Sequence, residues 1–130
     1  MSLPRWLLRL FPRLAPQGRW GDAVRVTDPK RLAQFHVIYA EQVAWCRARG
    51  FTITAPDCRV TLRYWPDTLR PPDGFGIAKV LAPNVISGDT GGTVLIQRGY
   101  LHADDILAHE VRHAITGIGD HPKDLFPEGW

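Results

Sequence analysis

Residues 104–117 read DDILAHEVRHAITG and carry the clearest structural signal in the chain. Asp104 and Asp105 favour a helix start, because acidic side chains are stabilised at the positive end of the helix dipole. Gly117 is a typical stop, since glycine readily adopts the left-handed conformation that ends many helices. Apolar residues recur between these ends at helical spacing: Leu107, Val111, Ala114 and Ile115. The segment therefore predicts a helix with one buried face.

Two histidines and a glutamate lie inside this predicted helix. His109 and His113 are four residues apart, so both project from the same face, away from the apolar stripe. Two imidazoles one turn apart can bind a single zinc ion, with bonds of about 2.0–2.1 Å. Glu110 directly follows the first histidine, which suits a general base that stands beside the ion without binding it. The pattern predicts a catalytic zinc site.

The third ligand is expected just after the helix. A catalytic zinc site has three protein ligands and an open fourth position. The helix is followed by GIGDH at residues 117–121, whose glycines permit a sharp turn. That turn would bring His121 back toward the ion, so His121 is the expected ligand. Asp120 and Glu128 remain open as alternatives.

The same residues resemble a known group of enzymes. The sequence HEVRH, the following AITG, His121 and the nearby Phe126 are similar to the zincin metallopeptidases, and within them to the WLM and SprT-like proteases. The resemblance implies a zinc centre with one general base: ligands His109, His113 and His121, and base Glu110. It also implies a zincin-like fold and hydrolysis of peptide bonds.

The resemblance extends over roughly residues 75–126 and has one more implication and one departure. It implies a peptide substrate laid along an edge strand, which here would be residues 77–86. The departure is in spacing, because His121 lies four residues after Gly117 whereas the WLM pattern has two. The turn must therefore bulge, or Asp120 must bind in place of the histidine.

The remaining sequence predicts one long helix and a small sheet. Residues 28–49 begin with Asp-Pro, a good N-cap followed by proline at the first helical position, and they carry an apolar stripe at helical spacing. Strands are predicted at residues 59–65, 77–81 and 93–97, and residues 85–86 are a candidate continuation of the second. Pro83 would place the second strand at an edge, paired with the third as a hairpin. We expect an α+β fold with a long N-terminal helix, a three- to four-stranded twisted sheet and the HExxH helix.

The N-terminal residues form a basic and apolar arm, taken as residues 1–27, ahead of a domain at residues 28–130. Arg9 and Pro12 interrupt its apolar run, so it does not read as a signal peptide. No apolar run approaches the roughly 20 residues of a membrane span, and a cytoplasmic protein is expected. The arm could contact a membrane surface or a partner, or simply pack on the domain.

The leading interpretation is a zinc metallopeptidase that acts on a protein or peptide. A net charge of +3 does not argue for nucleic acid, although an SprT-like protease acting on DNA-bound protein stays an alternative. A non-catalytic module with a structural zinc is the other alternative. Cys46 and Cys58 are expected as ordinary thiols, because two cysteines make no disulfide framework. The large aromatics could line a groove or fill the core: Trp65, Phe75 and Trp130.

Overall fold

The computed structural model describes residues 3–55, 59–83, 86, 89 and 91–129. Within these residues the fold combines three α-helices with one four-stranded sheet, and this confirms the predicted α+β class. The elements in chain order are α1 (Arg5–Leu10), β1 (Val24–Arg25), α2 (Pro29–Ala48), β2 (Thr61–Tyr64), β3 (Ala78–Leu81), β4 (Thr93–Ile96) and α3 (Asp104–Thr116).

Helix α2 matches the predicted long helix within a residue at each end. The Asp28 side chain accepts a hydrogen bond from the Arg31 backbone N–H at 3.1 Å, which satisfies one of the open donors of the first turn. Gly50 has a φ of +83°, the left-handed conformation that lets the chain leave the helix. The buried face of α2 consists of Phe35, Ile38, Tyr39, Val43 and Cys46.

The sheet has the strand order β1-β2-β4-β3. Strands β3 and β4 are antiparallel neighbours, and β3 lies at the edge, as the hairpin prediction and Pro83 indicated. Strand β2 pairs with β4 in parallel, and β1 adds to β2 in antiparallel orientation. Ile86 lies in a bend outside the sheet, and Val85, where the second strand was thought to resume, is outside the described residues.

The sheet separates two apolar clusters, because neighbouring side chains of a strand point to opposite faces. On one face, Val94 and Ile96 join the main core between the sheet and the two long helices. On the other face, Leu95 packs with Trp65 and Phe75 in a smaller cluster. Trp65 and Phe75 are therefore buried and fill a core, while Trp130 lies outside the described residues.

A buried carboxylate lies beside the sheet on the loop before β4. Asp89 is 1% exposed and accepts hydrogen bonds from Arg63 at 2.7 and 2.9 Å, from Arg25 at 3.1 Å and from the Thr93 hydroxyl at 2.6 Å. Burial alone would raise the pKa of Asp89, but the hydrogen bonds and positive charge of its partners outweigh it and lower that pKa to about 2. This cluster ties β1, β2 and β4 together.

The predicted arm, residues 1–27, contributes to the fold in two ways. Its last part forms β1, and its first part carries α1, which docks through the buried Leu8 and through Arg5 and Arg9 on Asp67. None of the helices in the described part of the chain is both long and apolar enough to cross a membrane. Cys46 is a buried free thiol, and Cys58 lies outside the described residues.

Candidate metal centre

Helix α3 places the two motif histidines side by side. It packs against α2 on one side and β3 on the other, and buries Leu107, Val111 and Ile115. The Nε2 atoms of His109 and His113 are 3.1 Å apart, with the two rings nearly perpendicular. The four-residue spacing thus brings both imidazoles to one point, as the sequence predicted.

The third histidine reaches the same point through a tight turn. Gly117 adopts a left-handed conformation with φ of +71° and its backbone N–H bonds to the His113 carbonyl, which ends the helix and reverses the chain. His121 Nε2 then lies 3.2 Å from His109 Nε2 and 3.3 Å from His113 Nε2. The three nitrogens form an almost equilateral triangle.

The size of this triangle fits one metal ion. Ligands at about 2.0–2.1 Å in a tetrahedral arrangement are separated from each other by about 3.3–3.4 Å. The three observed separations, 3.1, 3.2 and 3.3 Å, lie at or just below that range. His109, His113 and His121 are thus close enough together to bind a metal ion.

A backbone carbonyl orients one of the rings. His113 Nδ1 lies 2.6 Å from the carbonyl oxygen of Ile118, and only a protonated Nδ1 can bond there. In the neutral ring this leaves the lone pair on Nε2, the atom that faces the other two histidines. Ile118 belongs to the turn that carries His121, so one segment both orients His113 and supplies the third histidine of the group.

Burial favours the neutral form of two of the rings, those of His109 and His113, and this is the form that binds a metal. Burial, followed by the nearby charges of His113, His121 and Arg112, lowers the pKa of His109 to about 4. Burial also lowers the pKa of His113, although its bond to Ile118 opposes the shift. Imidazoles in this state offer lone pairs without first releasing a proton.

Glu110 follows His109 on helix α3 and is buried. It is 8% exposed, and burial raises the pKa of its carboxyl group to about 7. Glu110 is not one of the three clustered ligands. A carboxyl group in this position can accept and return a proton near neutral pH.

The other proposed ligands lie outside the metal-binding group. Glu128 accepts two hydrogen bonds from Arg112 Nη1, at 2.9 and 3.0 Å, and is not one of the residues whose ligand atoms converge. Asp120 is exposed and is not part of the metal-binding group. Among the described residues, the group close enough to hold a metal ion consists of His121 with His109 and His113, and Asp120 and Glu128 are outside it.

Arg112, inside the HExxH motif, was not singled out by the sequence. Its guanidinium is buried and donates to Gln42 Oε1 at 2.7 Å and to the Leu125 carbonyl at 3.1 Å, besides Glu128. It also lies 3.9 Å from the centre of the Trp45 ring. The available signal was its position directly after the buried Val111, but sequence cannot say what pairs with such a charge.

The Phe126 ring packs against all three histidines. Its ring centroid lies 4.3 Å from that of His109, 4.6 Å from that of His113 and 5.2 Å from that of His121. Phe126 is 2% exposed. An apolar wall of this kind limits the movement of the three rings and keeps water from their rear side.

A cleft of about 660 Å³ opens in front of the histidines. Edge strand β3 forms one wall of it, and α3 with the turn after it forms the other. The Gln97 N–H donates to the Ile77 carbonyl at 2.9 Å. Because hydrogen-bonded pairs alternate along an antiparallel ladder, Lys79 bonds to β4 whereas the Val80 N–H points away from it. The side of β3 that faces away from β4 has no strand paired with it among the described residues, and its backbone groups lie along the cleft.

Comparisons with known proteins identify no relative of this chain. The chain matches no family model, no curated protein and no solved structure. The site must be interpreted from its own atoms.

Proposed function

We propose that the chain is a zinc-dependent metallopeptidase with a zincin-like active site. The observation that carries the proposal is the triangle of Nε2 atoms from His109, His113 and His121, with Glu110 beside it. Three imidazoles are a ligand set that zinc favours, and their separations suit tetrahedral coordination.

The ligand number favours a catalytic over a structural ion. Structural zinc sites are closed by four protein ligands, while catalytic sites keep one position open. Within the described residues three ligand side chains meet, and the cleft lies directly in front of them. This arrangement supports the enzyme over the alternative of a zinc-stabilised binding module. When bound, zinc would acidify a water molecule and polarise the substrate carbonyl.

Glu110 serves as the general base in this proposal. Its carboxylate takes a proton from the attacking water and passes it to the leaving amine of the cleaved peptide bond. Because burial raises the pKa of Glu110 to about 7, the group can both accept and release this proton near neutral pH.

We propose that the peptide substrate binds along edge strand β3. An extended peptide can add to an open strand through main-chain hydrogen bonds, which hold it regardless of most of its sequence. Ala78, Val80 and Leu81 line the same cleft as the histidines and Glu110. A peptide on this edge would pass directly in front of the metal centre.

The test compares metal content and peptide cleavage in matched variants. Purified protein should hold about one zinc per chain and melt at a lower temperature after chelation, since an ion that binds only the folded state stabilises it. His113→Ala should lose zinc and cleavage of a peptide library together. Glu110→Gln should keep zinc but lose cleavage by about a hundredfold or more.

Three results would contradict the proposal. A chain that takes up no zinc and shows no change in melting temperature with added zinc has no metal centre. Full cleavage by Glu110→Gln would remove Glu110 from the reaction. Stoichiometric zinc without cleavage of any peptide would instead support the structural module.

A further inference from the structure

The N-terminal arm carries an exposed apolar surface that the metal centre does not use. We call it the arm stripe, and it consists of Leu3, Trp6, Leu10, Phe11 and Leu14. These make up five of the nine large apolar side chains that are exposed in the described part of the chain. Trp6 is 63% and Leu10 is 67% exposed. Five exposed apolar side chains within twelve consecutive residues mark an interaction surface.

The stripe is exposed although the arm is firmly docked. The Arg5 and Arg9 side chains bind Asp67, which is 5% exposed, at 3.3 and 2.8 Å. Further along, the Gly18 N–H donates to the Arg70 carbonyl at 2.6 Å. The arm thus uses one face to pack on the domain and presents the other outward. Its open apolar side is a property of the docked conformation.

The charge around the stripe is positive. The first 21 residues contain four arginines, at positions 5, 9, 13 and 19, and no acidic residue. Asp67 is the acidic partner of the arm, but it is shared by Arg5, Arg9 and Arg98, so positive charge remains in excess. Arg13 is exposed between Phe11 and Leu14 and has no ion pair among the described residues.

From this combination we infer that the arm stripe binds the surface of an anionic lipid bilayer. Trp, Leu and Phe side chains can enter the boundary between headgroups and acyl chains, while arginines at the same depth bind lipid phosphates. The apolar side chains supply burial, and the charge supplies the preference for anionic lipids. The metal centre would then work on substrates at a membrane surface.

The test is co-sedimentation of the full chain with lipid vesicles. We expect binding to vesicles of phosphatidylcholine mixed with phosphatidylglycerol, and binding about tenfold or more weaker to phosphatidylcholine alone or at high salt. The double variant Trp6→Ser/Leu10→Ser should lose about tenfold or more in affinity, because both side chains leave water on binding. Arg13→Glu should weaken binding to the anionic vesicles alone.

Val37→Ser is the matched control. Val37 is an exposed apolar residue of α2 outside the arm, so its replacement should leave vesicle binding unchanged. All the replaced side chains are exposed, and every variant should melt like the wild type. The inference is overturned if the wild type does not bind anionic vesicles or if the double variant binds them as strongly as the wild type. It is also overturned if the chain dimerises without lipid and the double variant is monomeric, since the stripe would then be a protein interface.

Discussion

Arg112 Nη1 donates to both carboxylate oxygens of Glu128, at 2.9 and 3.0 Å, and joins the HExxH helix to the segment that follows the third histidine. The same nitrogen donates to the Leu125 carbonyl, and Nε donates to Gln42 on α2. The guanidinium is buried, so its bond to the Leu125 carbonyl is shielded from water, whereas the Glu128 side chain is 48% exposed. Arg112 therefore holds the segment that positions His121.

Loss of this ion pair should weaken metal binding. Glu128→Gln keeps the shape of the side chain but removes its charge, and we expect zinc affinity to fall by about tenfold as His121 becomes less ordered. The measurement is a competition titration with a zinc chelator. In a His121→Ala background the same substitution should have almost no effect. An equal loss in both backgrounds would show that Glu128 does not act through His121.

Arg112→Ala should reduce stability as well. It leaves Gln42 and the Leu125 carbonyl without their donor, and we expect a loss of about 2–4 kcal/mol in the free energy of unfolding. Urea unfolding of the metal-free protein measures it. Arg47→Ala, an exposed arginine on α2, is the control and should change stability by less than about 0.5 kcal/mol. Similar losses in the two variants would show that the buried contacts of Arg112 do not stabilise the fold.

The third ligand can be tested by a pair of substitutions in one turn. His121→Ala removes one of the three converging nitrogens and should weaken zinc binding by about a hundredfold or more. Asp120→Ala changes an exposed neighbour outside the group and should leave zinc affinity nearly unchanged. The reverse order, measured by the same chelator competition, would transfer the ligand role to Asp120.

Proline substitutions at two positions of β3 can distinguish a role in substrate binding from a role in the sheet. The Val80 N–H points away from β4, so Val80→Pro should impair peptide cleavage and leave zinc content intact. Val80→Ala keeps the N–H and controls for lost side-chain packing. The Lys79 N–H belongs to the ladder with Leu95, so Lys79→Pro should lower stability by about 1–3 kcal/mol. Normal cleavage by Val80→Pro would place the peptide elsewhere in the cleft.

Asp89 should make the fold sensitive to acid. Its pKa is about 2 in the folded chain, against about 3.9 for an unperturbed aspartate, so the folded state holds the charged form more strongly. The resulting stability is present above pH of about 4 and is lost as the pH falls toward about 2. Asp89→Asn should lose about 2–4 kcal/mol at pH 7 and flatten this acid dependence.

Urea unfolding at several pH values checks the prediction for Asp89. Asp73→Asn is the control, because the Asp73 side chain is 85% exposed and its single ion pair spans 4.0 Å. It should leave both the stability and its pH profile almost unchanged. If the free energy of unfolding depends on pH equally in Asp89→Asn and the wild type, ionised Asp89 does not contribute the predicted stability.

Local patterns predicted much of the fold. Asp28, Pro29 and Gly50 delimit α2 because capping and left-handed glycine depend on neighbouring residues alone. Pro83 indicated the edge position of β3, and its pairing with β4 was predicted because a hairpin is the simplest pairing of two consecutive strands. The parallel pairing of β2 with β4 was not foreseen, since it joins strands far apart in the sequence and depends on packing against both helices.

The sequence by itself determined the pairing of His109 with His113 and the place of Glu110 beside them. Helical geometry fixes these relationships wherever the helix forms, because residues four apart share a face. Only the tertiary structure shows that His121, and not Asp120 or Glu128, lies beside the two helix histidines, since the conformation of the turn after Gly117 cannot be deduced from its local sequence. The choice depends on Arg112, which draws Glu128 to itself, and on Ile118 and Phe126, which hold the turn against the histidines. These contacts join separate segments, and their geometry exists only once the core has packed.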